Sequence, residues 1–79
     1  MSDTMNLISD GQTFHLQREV SGVYRVRGAE GFLGFVERAG GVYVALVGVR
    51  YDRAVEAGQA LSLGRAAALL HPASQRSAA

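Results

Sequence analysis

Seventy-nine residues suffice for one small domain and leave no room for a second core. Hydrophobic residues make up 48% and charged residues 19%, a globular composition rather than a disordered one. The absence of cysteine excludes disulfides and cysteine-ligated metal, and a net charge of +1 announces neither nucleic acid nor a membrane surface by itself.

Residues 1–11 are polar and aperiodic apart from Met5, Leu7 and Ile8, and read as a loose arm able to dock those three side chains. Residues 12–71 carry the fold. Four strand-like runs open it, each closed by a glycine-bearing turn. Thr13–Val20 alternates, with Phe14, Leu16 and Val20 opposite His15, Gln17 and Glu19. In Val23–Arg27, Tyr24 and Val26 oppose Arg25 and Arg27. Phe32–Arg38 sets Phe32 and Val36 opposite Leu33 and Phe35. Val42–Val47 is apolar on both faces. Arg50–Ala57 reads as a short fifth strand, with one helical turn capped by Asp52 as the other reading.

The last element is a helix. Ser62 suits its N-cap, and Leu63, Ala66, Ala67 and Leu70 recur at i, i+3, i+4 and i+7. Pro72 stops it, and residues 72–79 read as a disordered tail. The expected fold is α+β: an antiparallel meander of four to five strands with one C-terminal helix packed on one face. No segment reaches the roughly 18–20 apolar residues of a membrane helix, and no signal peptide is evident, so a cytoplasmic protein with no membrane partner is expected.

Gly22 and Tyr24, the run Leu33-Gly34-Phe35-Val36, Gly41 with Tyr43 and Ala45, Gly58, and Ser62 followed by Ala66, Ala67 and Leu70 form a succession. It resembles that of small bacterial and phage domains with a twisted sheet and one C-terminal helix, such as integrase arm domains and AP2-like domains. The resemblance spans roughly residues 22–70 and implies that fold. In those families the helix follows the third strand closely, whereas residues 42–61 intervene here. No site residue is carried over. The stretch Val55–Leu61 is similar to the V-x-x-G-Q-x-L turn of biotinyl and lipoyl domains, but the chain has no lysine to modify.

Chemistry-bearing residues are scattered. His15 reads as a solvent-facing strand residue and His71 as a helix-end cation. A general base needs a nucleophile and an orienting group, and the serines fall in turns, caps or tails. No two of the carboxylates Asp3, Asp10, Glu19, Glu30, Glu37, Asp52 and Glu56 keep the apolar company that acid catalysis needs. Gly28, Gly31 and Gly34 form G-x-x-G-x-x-G, which is not the dinucleotide fingerprint and opens a strand rather than a helix. No catalytic residue, metal site or cofactor is expected.

Two surfaces are. All eight basic residues are arginine, and Arg25, Arg27, Arg38 and Arg50 would grip nucleic-acid phosphates if the strands brought them to one face. Phe32, Val36, Val42, Val44 and Leu46 supply an apolar association surface. The expected function is a non-catalytic binding or protein-interaction module, a homodimer or a partner of another protein. A nucleic-acid-contacting accessory domain is the alternative.

Overall fold

The computed structural model describes residues 4–9, 11–19 and 22–71. It is an antiparallel six-strand meander with one C-terminal helix packed against it, an α+β fold. The strands are β1 (Thr4–Ser9), β2 (Gln12–Arg18), β3 (Val23–Gly28), β4 (Gly31–Ala39), β5 (Val42–Val47) and β6 (Val55–Ala60), each paired with the next. Helix α1 spans Leu63–Leu69.

The strand count exceeds the expected four to five for two reasons. Thr4–Ser9, read as a loose arm, pairs along its whole length with β2. Leu7 packs against the core, while Met5 stays partly exposed and Ile8 is 77% exposed. Ile8 breaks the alternation that would have marked a strand, and it is the neighbouring strand that pairs with this backbone. The segment after Gly48 divides into a 3-10 turn at Tyr51–Arg53 and β6. Asp52 lies inside that turn, whose N-cap is Arg50, and Gly58 lies within β6 rather than ending it. The tail at 72–79 and the end of the second run at Val20 fall outside the described residues.

The core is one cluster: Phe14 and Leu16 from β2, Val26 from β3, Val36 from β4, Ala45 from β5, and Ala66, Ala67 and Leu70 at the helix. Helix α1 touches both edge strands, β1 and β6, as well as β2, β4 and β5. Six strands laid flat would span about 24 Å at ~4.8 Å spacing, whereas a helix is only about 10–12 Å across. The sheet therefore curls around α1, which leaves a concave face packed on the helix and a convex face outside.

Two β-bulges assist the curl. In β4 the pairing passes from Val26–Gly34 to Arg27–Phe32, so Leu33 is extra. In β6 it passes from Ala45–Gly58 to Leu46–Glu56, so Ala57 is extra. A bulge bends its strand and increases the local twist. A Cβ built on Gly58 would lie 3.1 Å from Leu69 Cδ1, so the helix seats directly on that glycine.

Ser62 caps α1: its hydroxyl accepts a hydrogen bond from the Arg65 amide at 3.2 Å. Seven residues are too few to hold a helix alone, so cap and packing act together. Ser62→Ala is expected to cost about 1 kcal/mol, which lowers the melting temperature by roughly 4–8 °C. Ser62→Gly should cost only a few tenths. Equal melting of wild type and both variants would show that the cap contributes nothing.

Candidate interaction surface

The convex face is organised by cross-strand rungs. One rung runs Thr4, Gln17, Arg25, Phe35, Leu46, Glu56 from β1 to β6. A second runs Asn6, His15, Arg27, Phe32. A third joins Val23, Glu37, Val44 and Gln59. Directly opposed residues on paired strands share a face. Apart from Ile8 and Val23, the convex surface is thus polar over β1–β3, then apolar over β4–β5, and polar again at β6, where Gln59 donates to Glu56 at 3.3 Å.

The bulge at Leu33 decides which aromatic residues appear here. Strict alternation would put Phe32 and Val36 on one face and Leu33 and Phe35 on the other. The extra residue reverses the parity beyond it. Phe32 and Phe35 now meet edge to face, their ring centroids 5.4 Å apart. Leu33 and Val36 turn to the core. Val36 is fully buried there and does not share a surface with Val42, Val44 and Leu46. Those three and Phe32 are half-buried on the convex side.

The turn after β5 folds over part of this face. The Tyr51 ring stands edge-on to Phe35 with centroids 5.7 Å apart, and Phe35 and Val23 are buried. The Tyr51 hydroxyl hydrogen-bonds to Glu37, which raises the phenol pKa above its ordinary value; desolvation and the Glu37 charge act in the same direction. Tyr51 nevertheless stays 45% exposed, and Val49 beside it is 79% exposed. Among the described residues, cover of the second face is therefore partial.

Three of the four arginines come to the convex side and Arg38 does not. Arg25 and Arg27 share the convex face, on adjacent rungs. The Arg25 guanidinium lies over the Phe32 ring, 5.0 Å from its centroid. Arg50 reaches the same side and, with Tyr51, Glu19 and Arg25, lines a depression of about 480 Å³. It is paired with Asp52 at 3.5 Å, so Glu19 and Asp52 offset the positive charge there. Arg38 follows Glu37 on β4 and pairs with Tyr43, whose side chain packs on the core, so it belongs to the helix side of the sheet.

Sequence reasoning missed His15, Gln17, Asn6 and Thr4 as companions of Arg25 and Arg27. Alternation placed His15 and Gln17 on one face of their strand. Register across β1 and β3 was the absent information. His15 Nδ1 is hydrogen-bonded to Asn6 Oδ1. Among the described residues, no cluster of three or more His, Asp or Glu is placed to hold a metal ion, and no polar or charged side chain is buried. Among the described residues, no helix is long and apolar enough to cross a membrane.

Fold and surface together define an antiparallel meander wrapped around one terminal helix, with a two-character convex face. Comparison with protein-family models, with curated proteins and with solved structures finds no match to this chain.

Proposed function

We propose that this chain is a small non-catalytic interaction module that self-associates through the apolar part of its convex face. The observation that carries the reading is the half-buried stripe of Phe32, Val42, Val44 and Leu46, continued by exposed Val49 and Tyr51. Helix α1 covers the opposite face, and among the described residues the 3-10 turn alone folds over this one. A domain near sixty residues buries only about 60% of its unfolded-chain surface and is marginal alone. With no disulfide to help, association is a ready source of stability. A two-fold dimer would bury the same patch on both chains. The edges of β5 take no part, because β4 and β6 occupy them.

Sedimentation at micromolar concentration tests the reading. Wild type should run as a dimer whose melting temperature rises with concentration. Leu46→Arg should run as a folded monomer. A wild-type monomer with concentration-independent melting would overturn it.

The second reading, nucleic-acid contact, draws support from Arg25 and Arg27 alone. Arg38 lies on the helix side and Arg50 is paired with Asp52.

A further inference from the structure

We infer that the polar part of the convex face, over β1–β3, binds the sugar-phosphate backbone of single-stranded nucleic acid without reading its sequence. The inference rests on the nucleic-acid reading and names its site and substrate form. Two adjacent rungs bring together Thr4, Gln17 and Arg25, and Asn6, His15 and Arg27. These six side chains, with Leu16, line an open depression of about 360 Å³. Each of the six can donate hydrogen bonds, and no carboxylate lines the depression.

The two guanidiniums carry the argument. Among the described residues the ion pair is Arg50 with Asp52; neither Arg25 nor Arg27 has a carboxylate partner. Arg25 is instead held on the sheet by the face of Phe32 in a cation–π contact, and Glu19 and Asp52 lie only along the neighbouring depression on its far side. His15 is likewise held by a neutral amide, Asn6. The depression is thus held in place by uncharged neighbours and is lined by two guanidiniums and no carboxylate. Arg25 and Arg27 stand two residues apart on one strand, about 7 Å along it. That matches the separation of successive phosphates in an extended strand.

Shape selects the form of ligand. An open depression on a convex sheet does not enclose a small anion. Nor does it offer a helix or ribbon to enter the major groove of a duplex. A row of donors along a strand suits a flexible backbone laid across it, bound as single strands are in basic grooves. Two phosphate contacts make the binding modest and salt-dependent.

Fluorescence anisotropy of the full chain with a labelled oligothymidylate, titrated from ~50 mM salt upward, tests this. The expected plot of log affinity against log salt has a slope of about −1.4, from ~0.7 per phosphate on a single strand. Arg25→Ser with Arg27→Ser should flatten that slope and weaken binding about equally for other base sequences. Arg38→Ser and Arg50→Ser should bind like wild type, and both rung variants should melt normally because their side chains are exposed. Tighter binding of duplex than of single strand, displacement by millimolar inorganic phosphate, or losses in Arg38→Ser equal to those in the double variant would overturn this inference while leaving nucleic-acid contact standing. No binding of either form at ~50 mM salt, or equal competition by polyglutamate, would overturn both. Leu46→Arg should retain oligonucleotide binding whatever its effect on sedimentation.

Discussion

Replacing Gly34 by alanine is expected to unfold the protein or to lower its melting temperature by well over 10 °C. A Cβ on this residue would lie 2.1 Å from the Leu46 carbonyl oxygen and 3.3 Å from the Val47 Cα. Both are backbone atoms of β5, so no rotamer change relieves the overlap. Either β4 or β5 must move, at the cost of ladder hydrogen bonds that no water replaces in the sheet interior. Gly34 also stands at the bulge that sends Leu33 and Val36 to the core and Phe35 to the convex face. Straightening the bulge to admit a side chain would therefore exchange buried and exposed residues along β4. The loss is expected to reach several kcal/mol, against roughly 4–12 kcal/mol of total stability for a chain this size. Gly41→Ala is the control. Nothing lies within 4 Å of its Cβ position, so it should be neutral or slightly stabilising. Melting curves of the two variants within about 2 °C of each other would refute the close approach at Gly34.

The second large effect is expected at Ala67→Glu. Ala66 and Ala67 are fully buried between α1 and the sheet, and no buried polar or charged side chain among the described residues waits to pair with a carboxylate. An unpaired buried charge costs about 3–5 kcal/mol, and the longer side chain would also lift the helix from Ala45 and its neighbours in the core. Arg65→Gln, on the exposed face of the same helix, should melt like wild type. Ala68→Glu should fall between them. Spacing alone puts Ala68 off the buried stripe, yet it is half-buried and packs against the core, because the curled sheet embraces more than one face of the helix. Thermal melts of the three proteins followed by circular dichroism decide the matter. If Ala67→Glu and Arg65→Gln melt alike, the helix does not lie as described.

Much of the architecture is local, and the sequence by itself determined it. Alternation of Phe14 and Leu16, or of Tyr24 and Val26, with polar neighbours is a two-residue period that only a half-buried strand satisfies. Ser62 before a 3.6-period stripe specifies a helix start through the chemistry of one hydroxyl and one amide. From such signals the α+β class, the meander order of the central strands and the helix register were all legible.

What only the tertiary structure decided depends on pairing between strands distant in sequence. Thr4–Ser9 is a strand because β2 lies beside it, not because its own residues demand one. The bulge at Leu33 arises where β4 is pressed between β3 and β5, and it moved Val36 from the expected association surface into the core. A shift of one residue reverses every side chain beyond it, so no count along the chain reveals the outcome. The arginines show the same division. Alternation put Arg25 and Arg27 together, but their companions His15, Gln17, Asn6 and Thr4 come from cross-strand register, as does the exile of Arg38 to the helix side. The curl of the sheet around α1 then left one face outside, and on that convex face the apolar stripe and the polar rungs lie side by side.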